Sequence, residues 1–100
     1  MGLNSKSYVS YIDLIGIGTV NQCSPSIREI FKMAYAKNAA SLIISHNHPS
    51  GDPEPSYLDE KFTKKVKEAA DLLQFKLLDH IIIGNGPEEK YYSFLNEEKI

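Results

Sequence analysis

An internal disulfide is excluded at once, because the chain has a single cysteine, Cys23; that usage suits a reducing cytosol. Long hydrophobic runs are missing too. No segment approaches the roughly 18 apolar residues of a membrane span, and the N-terminus has no signal-peptide character. Neither sign of charge dominates. Eleven Lys and Arg stand against thirteen Asp and Glu, for a net charge of −2, so there is no broad basic field to hold nucleic acid non-specifically. Repeats, low-complexity tracts and linkers are absent. What is present is ordinary globular usage, 42% hydrophobic and 24% charged over 100 residues, enough to bury a core without staples. The expectation is a single soluble, cytoplasmic domain over residues 1–100, with no membrane partner.

Taken in order, Met1–Asn4 is too short to stand alone, and Asn4–Ser7 reads as a turn. Tyr8–Ile15 is rich in β-formers and partly alternates, as a half-buried strand does; Gly16 and Gly18 mark a bulge or close approach at its far end. Ser26-Ile27-Arg28-Glu29 has capping-box spacing after Pro25. Ile27, Ile30, Phe31 and Ala34 then form one helical stripe, with a stop expected near Lys37-Asn38, where Asn tolerates a left-handed backbone. Ala39–Ser45 is a near-continuous apolar strand, which implies cover on both faces. A second helix is expected from Ser56 to about Leu73, burying Leu58, Phe62, Val66, Ala69 and Leu73 and leaving its lysines on a solvated face. Phe75–Gly84 is another strand, Asn85-Gly86-Pro87 a turn, Lys90–Leu95 a last strand, and the tail from Asn96 is expected to fray. The order β-α-β-α-β-β gives an α/β fold with a mixed sheet flanked by helices.

The chemistry concentrates where the central strand runs out. His46 and His48 flank Asn47 at its end, and a loop rich in Pro, Gly and Ser leads to Asp59, eleven positions after His48, in the first turn of the next helix. Two imidazoles and a carboxylate make a three-ligand set for Zn2+ that keeps a fourth position for water. A blander reading covers the same residues: Ser56 as helix N-cap, Asp59 at the positive end of the helix dipole, and two hydrogen-bonded loop histidines. The two readings are compatible. His80, beside Asp79 in an apolar strand, reads as a satisfied histidine oriented by that carboxylate, or as a support for a metal ligand. Cys23 reads as a small buried hydrophobe, and Tyr8, Tyr11, Tyr91 and Tyr92 as sheet aromatics rather than a base-stacking platform.

His46-x-His48, seven residues, Ser56, two residues, Asp59 resembles the JAMM (JAB/MPN) metalloprotease signature. The longer text from His46 through Pro49-Ser50-Gly51-Asp52-Pro53 to Pro55-Ser56 resembles the RadC branch of that superfamily. So do Gly18-Thr19-Val20-Asn21, Arg28-Glu29-Ile30 and Leu78–Gly84. The resemblance implies a cytidine-deaminase-like α-β-α sandwich. It also implies Zn2+ held by His46, His48 and Asp59, with a bound water attacking a peptide-like bond and Ser56 stabilising the oxyanion. The family's general base is a glutamate just before the first core strand, upstream of the His-x-His. Leu3–Lys6 resembles the exit from that strand, so the strand and its glutamate are expected to be lacking, and Glu29 stands at the wrong place in the pattern. Asn47, where deubiquitinating members carry Ser or Thr, makes a ubiquitin-like substrate a poor expectation. Two functions follow: a zinc-dependent hydrolase domain with an incomplete catalytic set, or a non-catalytic module in DNA repair or recombination. Removal of the first strand would also leave an open sheet edge that invites a homodimer.

Overall fold

The computed structural model describes residues 1–12, 27–48, 51–84 and 90–100. Its centre is a parallel pair. Ser41–His48 (β3 in chain order) holds the apolar run Leu42-Ile43-Ile44 and lies beside Lys76–Gly84 (β4), in register from Ser41 opposite Lys76 to His48 opposite Gly84, with one irregularity after Leu42. Parallel strands need a crossover, and the helix Tyr57–Leu73 (α2) provides it. Gly2–Leu3 (β1) runs antiparallel to β3 on its other side, Val9–Tyr11 (β2) pairs with β1, and Tyr91–Ser93 (β5) pairs with β4. The sheet order is β2-β1-β3-β4-β5. The mixed-sheet α/β class stands as expected, with one strand more in the element order. Met1–Asn4 does not stand alone, but its two strand residues are buried in the sheet interior, where Ala40 N donates to Leu3 O at 2.7 Å.

The helix Ile27–Ala36 (α1) buries Ile30, Phe31 and Ala34 as the stripe predicts. Asn38 adopts φ 53°, and Ala39 N donates five residues back to Ala34 O at 3.0 Å, closing the helix in a Schellman-type end. α2 ends the same way, with Gln74 at φ 65° and Phe75 N donating to Ala70 O at 2.9 Å. Residues of both helices, Ile30, Phe31, Ala34, Val66 and Ala70, share one core cluster with Leu42 and Leu77. Both therefore pack on the sheet face that carries Leu42. Of the apolar run, Leu42 is buried and Ile43 and Ile44 are half-buried, while Ser45 and Asn47, which alternate with the histidines, are exposed.

Two further expectations are corrected. The buried stripe of α2 is Asp59, Thr63, Val66 and Ala70; of the expected residues Val66 is buried, Phe62 and Ala69 pack half-buried against the core, and Leu58 and Leu73 are exposed. The helix is turned so that two polar side chains, Asp59 and Thr63, face inward. The tail does not fray. Glu97 N donates to Ser93 O at 3.1 Å, Lys99 N to Phe94 O at 2.8 Å, and Lys99 Nζ reaches Glu60 Oε1 at 2.8 Å. The second half of the first predicted strand, Gly16, Gly18, Cys23, Pro25, Ser26, Pro49, Ser50 and the Asn85–Pro87 turn lie outside the described residues.

Candidate metal centre

Side chains alternate along a strand, so Leu42, Ile44, His46 and His48 all face α2. The two apolar residues feed the core; the two histidines continue that face beyond it, where the first turn of α2 stands. Ser56 caps the helix with φ −79° and ψ 169°. Its hydroxyl oxygen accepts from Asp59 N at 3.1 Å, and its own N–H donates to Asp59 Oδ2 at 2.8 Å. This reciprocal box fixes the Asp59 carboxylate at the helix start, and it is 2% exposed.

The sequence-predicted ligands meet there. His46 Nε2 lies 3.2 Å from Asp59 Oδ1 and His48 Nε2 lies 3.0 Å from Asp59 Oδ2, while the two Nε2 atoms are 3.2 Å apart. One ligand atom from each residue fits within 4.8 Å of the others, so this group could hold a metal ion. The donor set fits a cation closely. His48 Nδ1 donates to the Asp52 carbonyl at 2.9 Å, which turns its Nε2 toward the Asp59 carboxylate.

Below the ligands is a second layer. His46 Nδ1 is 2.9 Å from His80 Nε2, and His80 Nδ1 is 2.5 Å from Thr63 Oγ1, which is also 2.9 Å from the Asp59 carbonyl oxygen. The His80 ring is 1% exposed and stacks on Phe94, with centroids 4.8 Å apart and planes 5° apart. The expected link to Asp79 is corrected. That carboxylate accepts from the His80 backbone N–H, Ser93 Oγ and Leu95 N, and the ring is held by Thr63 and His46 instead. Thr63 was not a candidate from sequence. The signal lay in the helical spacing of Asp59, Thr63, Val66 and Ala70, which is obscured when only apolar residues are counted.

Burial pushes the His46 imidazole below its usual range, against the pull of Asp59, and pushes His80 down to about 4. For Asp59 burial works upward, yet the carboxyl is held below its ordinary value. The Ser56 N–H bond and the neighbouring imidazoles outweigh desolvation.

The fold and site have relatives. The chain matches the RadC-like JAB domain family over residues 1–100. It is 45% identical over 97 residues to a UPF0758 protein of Caldanaerobacter subterraneus, covering 92% of this chain and 42% of that protein. A UPF0758 protein of Clostridium botulinum is 53% identical over 91 residues, 91% of this chain and 39% of the relative. One from Desulforudis audaxviator is 47% identical over 84 residues, 84% and 36% of the two chains. This chain thus spans about two-fifths of the length of the relatives it matches. Among the described residues no helix is long and apolar enough to cross a membrane. A match from the first residue to the last, through the stretch that gathers His46, His48 and Asp59, makes this chain a member of the RadC-like JAB domain family.

Proposed function

We propose that the chain is a zinc-binding hydrolase domain of the JAMM type, acting on a peptide-like bond. The observation that carries this reading is the convergence of His46 Nε2, His48 Nε2 and both Asp59 oxygens, with the His48 ring proton already committed to Asp52. Mixed nitrogen and oxygen donors favour zinc over calcium or magnesium. Zn2+ held there would lower the pKa of a bound water toward ~7 and polarise a carbonyl. The chain's own residues prepare for this. Ser56 uses an oxygen lone pair for its cap and keeps its O–H proton to donate to a developing oxyanion. Burial of Asp59 excludes competing water from the carboxylate side.

The proton acceptor is the weak point. Among the described residues, the hydrogen-bond and ion partners of His46, His48 and Asp59 include no glutamate. Glu29 is exposed in the first turn of α1. A general base contributes about 10²–10⁴ in rate, so slow turnover is expected where none is supplied from outside the described residues. Elemental analysis of protein purified without chelator tests the site. About one zinc per chain, lost in Asp59→Ala, is expected; equal zinc in that variant would sink the assignment.

That no glutamate partners the site among the described residues favours a second reading, a non-catalytic metal-binding module of DNA repair or recombination in the cytoplasm. Retained zinc with no peptidase activity, together with a salt-dependent gel shift, would favour it; no shift at low salt would leave only indirect roles. For assembly we propose a homodimer through β3. Among the described residues, β1 pairs with this strand only as far as Ser41 and Leu42, with Met1 bonded to Ile43. Among the described residues no strand pairs with Ile44–His48 on that side.

A further inference from the structure

The Thr63 hydroxyl has one hydrogen and two partners, the Asp59 carbonyl oxygen at 2.9 Å and His80 Nδ1 at 2.5 Å. It can donate to only one of them. Two proton arrangements satisfy the contacts of Thr63 with His80 and of His80 with His46. In the first, Thr63 donates to His80 Nδ1, His80 Nε2–H donates to His46 Nδ1, and His46 carries its proton on Nε2, facing Asp59 Oδ1 at 3.2 Å. In the second, every bond is reversed. Thr63 donates to the Asp59 carbonyl, His80 Nδ1–H donates to Thr63, His46 Nδ1–H donates to His80 Nε2, and His46 Nε2 is bare. Each ring holds one proton in both, so the two differ in direction and not in charge. Only the second presents a lone pair to a metal.

We propose that Thr63 and His80 are positioning residues that hold His46 in its Nδ1–H tautomer when a divalent cation occupies the His46–His48–Asp59 group. The inference rests on the metal-site reading above and names the device that selects the ligating form. Three observations support it. His80 is 1% exposed, and its two ring nitrogens each meet one partner, Thr63 at Nδ1 and His46 at Nε2. Stacking on Phe94 fixes the plane of its ring. Asp59 joins both ends of the chain, its carboxylate at the cation and its main-chain carbonyl under Thr63. His48 reaches the same tautomer independently, through the Asp52 carbonyl.

The test is a zinc titration by competition with a chromophoric chelator on the unsubstituted chain, Thr63→Val and Thr63→Ser. It is paired with nitrogen-15 NMR of the ring nitrogens in the zinc-loaded unsubstituted chain. Valine keeps the shape of threonine without the hydroxyl. His80 Nδ1–H then has no acceptor, its proton moves to Nε2, and His46 is driven to the Nε2–H form that cannot ligate. Zinc affinity should fall about 10–100-fold in Thr63→Val and return close to the unsubstituted value in Thr63→Ser. The spectra should show protons on Nδ1 of both His46 and His80, with His80 Nε2 bare. A proton on His80 Nε2, or a Thr63→Val affinity equal to that of the unsubstituted chain, overturns the inference and leaves the metal site standing. An unsubstituted chain that takes up no zinc overturns both.

Discussion

Gly84, the last residue of β4, lies directly beneath Gly51: a Cβ at position 84 would stand 2.3 Å from the Gly51 carbonyl oxygen and 3.2 Å from Pro53 Cδ. The loop between the ligands is therefore seated on the end of the neighbouring strand. Gly51 itself has φ 90° and donates from its N–H to the His48 carbonyl at 3.1 Å, and Asp52 follows with the carbonyl that orients His48.

Gly84→Ala should lift that loop. A forced shift of backbone costs about 1–3 kcal/mol, and the Asp52 carbonyl would move from His48 Nδ1. Lower stability in urea together with weaker zinc binding is expected. Unchanged values for both would mean that the loop seats elsewhere.

Ser56→Ala separates cap from chemistry. Loss of the N-cap oxygen should cost about 0.5–2 kcal/mol, while Asp59 keeps the Ser56 N–H bond and so keeps zinc. Thermal denaturation and metal content read the two effects. A variant that loses zinc would make the serine a structural support of the ligand set.

Stability should fall in mild acid in the metal-free chain. His46 and His80 have folded pKa values below the ~6.5 of an unfolded histidine, so the unfolded state binds more protons and stability rises with pH. The contribution is complete above pH ~6.5 and is lost as pH falls through the folded values, about 4 for His80, on the order of 3 kcal/mol for that residue. Asp59, also held low, adds a loss below its unfolded value near ~4. Denaturant midpoints at pH 7 and 4.5 should differ accordingly, and His80→Phe should flatten the slope.

Phe94→Ala removes a ring that is 1% exposed and packs on both His80 and Tyr92. A loss of about 3–5 kcal/mol is expected from the cavity, measured by chemical denaturation. A much smaller loss would show that the C-terminal turn collapses into the space.

Pairing through the β3 edge should appear in sedimentation velocity as a dimer that grows with concentration. Asn47→Pro, which removes a backbone donor from that edge, should weaken it. A clean monomer at high concentration would rule the assembly out.

The sequence made the local features legible. The Ile30-Phe31-Ala34 stripe, Asn38 as a left-handed stop, Ser56 as a cap and the meeting of His46, His48 and Asp59 all follow from short-range spacing, and each has the expected geometry. What was not legible depends on tertiary packing. A two-residue strand such as Gly2–Leu3 carries no periodicity, and only its neighbours on either side make it one. Thr63 was hidden because helix orientation was read from apolar side chains, whereas α2 turns Asp59 and Thr63 inward to satisfy the histidines. The role of Asp79 was assigned by adjacency to His80, but alternation puts its carboxylate toward β5 and the turn after it.

The convergence of His46, His48 and Asp59 on one small volume gives the domain a dependence on its medium. Any ion that binds the folded chain and not the unfolded one deepens the native well by mass action, about 2.7 kcal/mol at a hundred times its dissociation constant. The ligands stand on β3 and α2, so such an ion would staple a strand to the helix that follows it. The melting temperature would then report the ionic history of a preparation. Samples passed over a chelating resin and samples dialysed against zinc would behave as two proteins of one sequence, differing in how readily the crossover helix lets go of its sheet.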